Sequence, residues 1–252
     1  MTKQMLIYET AIPVSHERHA DASFDSSNDY AFTAAINAVP LTAVEFQRAA
    51  AEFAIVFTQV GADILPTAVL GVRGEQNLYL TKDAQWRAKY VPAFIRRYPF
   101  VFASSEDQQT LTLCIDETCP GFNREGRGQR LFGDDGKPTA YVEQVMKFLQ
   151  EYQVQFERTR LFCRQLKDLN LFEPMQATVT TPTGTTQALG GFLGVNRERL
   201  RDLSGETLSK LARTDELELV YLHLHSLRNF NEVRDRFIGS LASETDTAAR
   251  VS

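Results

Sequence analysis

Residues 77–116 read NLYLTKDAQWRAKYVPAFIRRYPFVFASSEDQQTLTLCID and hold the chain's single tryptophan in a dense mixture of aromatic and basic side chains. FVFA (Phe100 to Ala103) and TLTLCID (Thr110 to Asp116) flank the polar SSEDQQ, which predicts an antiparallel hairpin. Before it, Asp83 is placed to cap a helix holding Trp86, Lys89 and Tyr90. Pro92 either kinks that helix or opens a second one with Phe94, Ile95, Arg96 and Arg97. Tyr98-Pro99 ends the helical piece, because the residue before proline is pushed toward extended geometry. On such a helix Trp86, Tyr90 and Phe94 share one side, with Arg87, Lys89, Arg96 and Arg97 around the rest. Two readings follow. One is an amphipathic helix covering a sheet; the other is an anion or peptide-carboxylate site, with Arg96 or Arg97 offering a bidentate fork beside an aromatic wall.

Working outward, Thr42 and Glu45 have the spacing of a capping box, with Leu41 and Phe46 as its hydrophobic staple, so a helix is expected to start at Thr42. FAIVFTQ (Phe53 to Gln59) reads as a buried strand broken by Gly61-Ala62-Asp63. LPTAVLGV (Leu65 to Val72) and NLYL (Asn77 to Leu80), joined by a four-residue polar link, read as a hairpin, and with the second pair they are expected to supply most of one antiparallel sheet. From Pro138, Tyr141, Val145, Phe148, Tyr152, Phe156, Cys163, Leu166 and Leu169 recur at helical steps, predicting a helix roughly 45 Å long. ATVTT and TQALGGFLGV around Pro182-Thr183-Gly184-Thr185 predict another hairpin, with a bulge at Gly190-Gly191. Asn196 and Ser204 are N-caps of two short helices, and a last helix is expected over Leu217 to Ile238. Together these give an α+β fold, antiparallel hairpins packed against long amphipathic helices, in a single domain spanning residues 1–252. Residues 1–37 are expected to be a partly loose arm, its HERHADASFDSSND insert exposed, and residues 239–252 a frayed tail.

Composition sets outer bounds. A chain of 252 residues, 43% hydrophobic, buries enough surface to fold without disulfides or a structural metal. The net charge of -5 argues against general nucleic-acid binding. Three cysteines without repeating spacing, the lack of a signal-peptide pattern and the lack of an apolar run near the ~20 residues of a bilayer span point to the cytoplasm, with no membrane insertion. No cofactor motif is present: the segment from Pro120 to Pro138 is rich in glycine and carries Arg124, Arg127 and Arg130, but lacks phosphate-loop and dinucleotide spacings, so it reads as a surface loop or a lid. No metal site is expected, since His16 and His19 lack further ligands and read as solvated loop residues, and His223 and His225, two apart on a helix, face apart. Asp116 and Glu117 point to opposite sides of a strand, which leaves Asp116 as the carboxylate to pair with Arg96 or Arg97. Asn229, read as a surface residue, completes the candidate set of Trp86, Arg87, Tyr90, Arg96, Arg97 and Asp116.

The motif W-x-A-x-Y-V-P-A-x-x-R-R-Y-P-F (Trp86 to Phe100), L-C-I-D (Leu113 to Asp116), L-F-x-x-D-G (Leu131 to Gly136) and L-x-S-L-R-N-F (within Leu222 to Phe230) resembles the bacterial SapC family over nearly the whole chain. The resemblance implies an association with paracrystalline surface-layer loci, and with genes for TonB-dependent receptors and tryptophan-halogenase-like proteins. It brings no catalytic residues. The functional expectations are therefore an accessory protein that binds a peptide or protein partner, an enzyme on a peptide or amino-acid substrate with Asp116 as acid or base, or a structural surface-layer component.

Overall fold

The computed structural model describes residues 7–26, 29–104, 110–180, 184 and 186–251, with side chains described to 242. All of the SSEDQQ loop but Ser104, and most of the turn at 182–185, lie outside the described residues.

Strand β1 (Ala11–Pro13) leads to a single helical turn α1 (His16–His19) and strand β2 (Ser23–Phe24). The insert expected to be exposed is in fact docked. Its His19, Ala22 and Ser23 are fully buried and Phe24 nearly so. His19 Nε2 meets Glu117 at 3.0 Å, and Arg18 makes a two-pronged ion pair with the same carboxylate, at 2.7 Å on each side. Arg18's hydrogen bonds hold Glu117 down at about 2. Only His16 of the two histidines is exposed. Strand β3 (Ala38–Pro40) precedes the capping box at Thr42, where a 3-10 turn (Ala43–Glu45) runs into α2 (Phe46–Ala49).

Strands β4 (Ile55–Val60) and β5 (Asp63–Val69) form a hairpin across Gly61-Ala62, with Gly61 at φ +63, the sign that two-residue hairpin turns require. The expected hairpin of Leu65 to Val72 with Asn77 to Leu80 does not form: β5 pairs with β4 and β3 instead. Asn77 explains the loss of its partner strand, because its side chain accepts from Tyr79 N–H and donates to Thr33, a local bonding that competes with a ladder. After one helical turn, α3 (Ala93–Arg96), β6 (Phe100–Ser104) and β7 (Leu111–Asp116) pair as expected. The glycine-rich segment contains β8 (Phe122–Asn123) and β9 (Gln129–Arg130), which flank β2.

Helix α4 (Ala140–Asp168) has 29 residues, about 44 Å at 1.5 Å per residue. Strands β10 (Phe172–Thr180) and β11 (Thr186–Val195) follow, with the bulge where Gly190 and Gly191 face Gln176 alone. Asn196 and Ser204 cap α5 (Arg197–Arg201) and α6 (Gly205–Arg213) as read from sequence. The final helix is divided, α7 (Glu216–Ser226) and α8 (Phe230–Val251) being joined by a 3-10 turn, Leu227–Asn229; helical backbone thus continues through the segment expected to fray.

Among the described residues the strands form three sheets rather than one: β1-β7-β6, β10-β11-β4-β5-β3 and β8-β2-β9. The α+β architecture stands. Two hydrophobic clusters accompany it, and α4 serves both, burying Val142 and Leu149 in the smaller and Tyr152, Phe162, Cys163 and Leu166 in the larger.

Within the five-stranded sheet, Leu193 faces Phe57, so Val195 lies opposite Ile55. The His223 imidazole bridges that pair, Nδ1–H donating to the Ile55 carbonyl at 2.8 Å and Nε2 accepting Val195 N–H at 3.0 Å, while the Ser226 hydroxyl accepts Ile55 N–H at 3.0 Å. Burial pushes His223 down to about 4 against a hydrogen bond that works the other way. A proton on Nε2 would confront the Val195 N–H. The folded state therefore resists protonation, and this contribution is complete above pH 6.5 and eroded as pH falls toward 4. Denaturant titrations at pH 7.5 and 4.5 are expected to show about 2–3 kcal/mol of this loss in the native chain and a flatter pH dependence in His223→Phe; equal pH dependence in both would contradict the bridge.

Candidate functional site

Residues 81–92 carry the candidate site's first half and are not helical. Two glutamates explain why. Glu52 accepts Lys89 N–H at 2.7 Å and Tyr90 N–H at 2.9 Å, and Glu45 accepts Ala93 N–H at 2.7 Å and the Tyr90 hydroxyl at 2.8 Å through one oxygen. The other oxygen of Glu45 takes Thr42 N–H and the Thr42 hydroxyl, so this buried carboxylate has four donors. Backbone N–H groups satisfied by carboxylates have no need of an i→i−4 ladder. The expected helix through Trp86 is replaced by a strap pinned to α2, and helix begins only after Pro92.

The strap separates the predicted residues. Trp86 packs on Tyr30, Phe53 and Tyr79, and its indole N–H donates to the Tyr90 carbonyl at 2.8 Å, while Arg87 is exposed. Asn229, expected at the surface, is buried, and its amide donates to the carbonyls of Ala50 and Phe53 at 2.9 Å each, holding the exit of α2. Asp116 is fully buried, accepting Glu9 N–H at 2.7 Å and the Thr118 N–H and hydroxyl at 3.1 and 2.7 Å. Both oxygens of the carboxylate expected to pair with Arg96 or Arg97 thus take donors from the arm and from its own turn. A carboxylate engaged in this way fastens a turn; it has no oxygen turned to a substrate.

Arg96 and Arg97 do come together, on one groove of about 480 Å³. It follows the seam between the two hydrophobic clusters, where Tyr98 and Phe148 pack on both. The arm contributes Phe24, Asp25, Ser26 and Asp29 to Phe32; the strap's end contributes Ile95 to Tyr98 and Phe100; the glycine-rich segment contributes Cys119 to Gly121; α4 contributes Tyr141, Gln144, Val145 and Phe148. Phe32 stacks on Tyr98 with centroids 4.0 Å apart. Arg96 is exposed, its guanidinium 5.2 Å from the Phe148 ring and 5.9 Å from that of Tyr90, with Nε–H donating to the Val91 carbonyl at 3.0 Å. Arg97 is buried over Phe94 at 4.2 Å and Tyr152 at 5.1 Å, and also reaches a smaller cavity of about 80 Å³ beside β6. Burial raises the Cys119 thiol, against hydrogen bonds from Gly121 and Tyr98 that lower it, so it is held away from the nucleophilic thiolate.

The glycine-rich segment is a wall of this groove. A side chain at Gly121 would come within 2.3 Å of the Asp25 carbonyl and 2.8 Å of the Phe24 ring, so only glycine allows the two backbones to lie this close. Its arginines are engaged: Arg124 with Asp21, Arg127 with Glu125, Arg130 with Asp134. Sequence reasoning missed the arm's contribution. Phe24, Tyr30 and Phe32, three rings in a polar stretch, were the available signal, since aromatic side chains in such company gain most by docking. Among the described residues no cluster of three or more His, Cys, Asp or Glu could hold a metal, and no helix is long and apolar enough to cross a membrane.

The sequence model of the SapC family matches residues 14–233, from the arm through α8's first turn. This chain belongs to the SapC family. No curated protein and no solved structure matched it. The matched span contains every groove-lining residue, so the strap and groove lie within the part of this SapC protein that the family shares in sequence.

Glu45→Gln turns an NH₂ toward two of the four donors, and is expected to cost about 3 kcal/mol in denaturant unfolding, with Tyr90→Phe costing about 1 kcal/mol. A loss under about 1 kcal/mol for Glu45→Gln would contradict the strap's dependence on this carboxylate.

Proposed function

We propose that this SapC protein is a cytoplasmic accessory protein that binds a peptide or protein partner in the groove between its two clusters. The observation that carries the reading is the groove's make-up: an open channel walled by aromatic rings, with an exposed arginine beside it and a volume within the roughly 300–1,000 Å³ of ordinary ligand sites. Aromatic and arginine side chains are the types that dominate binding energy at protein interfaces. Two groups that catalysis would call on are otherwise engaged, which supports binding: Asp116, outside the groove lining, fastens a turn, and burial raises the Cys119 thiol. Three free, buried cysteines agree with a reducing compartment.

A photocrosslinking side chain placed at Gln144, exposed on the groove wall, tests this in host cells against the same probe at Leu161, exposed on α4 away from the groove. One defined protein crosslinked from Gln144 and absent from Leu161, and lost on Phe148→Ser, is the expected result. Identical capture from both positions, or capture indifferent to Phe148, would overturn the groove as the contact.

A further inference from the structure

The groove's charges narrow what it accepts. Arg96 is positioned from behind: Nε is taken by the Val91 carbonyl, the guanidinium lies over Phe148, and the neighbouring Tyr90, whose ring centroid is 5.9 Å from that guanidinium, is fixed by its hydroxyl's bond to Glu45. This chain of contacts starts at a carboxylate with four donors, so the arginine inherits the rigidity of the strap. Among the described residues no ion pair joins Arg96 to a carboxylate, in contrast to Arg124, Arg127 and Arg130 on the adjoining segment. An oriented guanidinium, seated on an aromatic ring with its outer edge toward solvent, is the geometry that receives a carboxylate.

Two acids line the same groove, Asp25 and Asp29, and Asp29 already accepts Ala31 N–H at 2.8 Å. They oppose a ligand that is anionic throughout, such as a polyphosphate, and give nothing to a fatty acid, whose chain has no donors. A peptide has both the carboxylate for Arg96 and backbone N–H groups for the acids. Rings from the arm, the strap and α4 line the same groove, and an aromatic side chain of that peptide would stack on them or meet them edge to face.

Resting on the groove reading above, we infer that the ligand is a peptide segment in which an aromatic side chain stands beside an acidic one, the ring entering the seam and the carboxylate meeting Arg96. Arg96 is then the specificity-determining residue, and Tyr90 and Glu45 position it.

The test uses the full chain and three capped peptides, GGEFGG, GGQFGG and GGEAGG, titrated by ligand-observed NMR. The first is expected to bind about tenfold tighter than either of the others, the value of one charge-assisted contact or one buried ring. Arg96→Gln is expected to abolish the preference for GGEFGG over GGQFGG, to retain the preference for phenylalanine over alanine, and to leave the chain folded because Arg96 is exposed. Gln144→Trp, which fills the groove from an exposed position, is expected to weaken both phenylalanine peptides. Equal binding of GGEFGG and GGQFGG to the native chain, with phenylalanine still preferred and Gln144→Trp still inhibitory, would overturn the carboxylate contact and leave the groove reading intact. Binding that ignores both the ring and Gln144→Trp would overturn the two together.

Discussion

The Glu45 carboxylate holds the strap before α3 in place. Buried against α2, it accepts four hydrogen bonds, two closing the capping box on Thr42 and two reaching across to Tyr90 and Ala93. A buried charge is tolerable only when its hydrogen-bonding capacity is filled, and here filling it forces a strap of chain to pass over α2 without becoming a helix. Glu52, seven residues on, extends the same arrangement to Lys89 and Tyr90. Everything downstream of Pro92 takes its position from that crossing. The single turn of α3, the two arginines and Tyr98 are delivered to the junction of the two hydrophobic clusters.

That junction is where the two hydrophobic clusters meet. The 29-residue α4 buries Val142 and Leu149 in one cluster and Tyr152 onward in the other. Between them the rings of Tyr98 and Phe148 touch both sides, and the arm closes the end with Phe24, Tyr30 and Phe32. A seam between two clusters is a natural place for a groove, because neither fully claims the surface there. The arm is held to the body by Glu117, which Arg18 and His19 share, and by the narrow sheet in which β2 lies between two strands of the glycine-rich segment.

At Ile55, a few residues beyond Glu52, a neutral histidine does the work of a ladder bond. His223 and Ser226 together satisfy the N–H and C=O of Ile55, and in doing so fasten α7 into the five-stranded sheet. Asn229, three residues on, fastens the exit of α2 by the same means, side-chain donors on backbone carbonyls. Two polar residues of the motif from Leu224 to Phe230, Ser226 and Asn229, are thus turned inward and join these helices to the start of β4 and the exit of α2.

By itself the sequence determined the elements whose signals are local. The capping box at Thr42, the caps at Asn196 and Ser204, the hairpin of β6 and β7, the bulge at Gly190-Gly191 and the long helix from Ala140 each follow from neighbouring residues, as does membership of the family through motifs that span the chain. Only the tertiary structure decided the rest. That Trp86 to Pro92 is a strap depends on carboxylates some forty residues away, and that His19, Asp116 and Asn229 are buried depends on partners from distant segments. Hydrogen-bond satisfaction is a property of whatever backbone happens to lie opposite, which helical periodicity does not encode. So the sequence indicated Arg96 and Arg97 by their composition, and the fold alone brought them to a groove with the rings of an arm whose insert, Phe24 included, reads as an exposed loop.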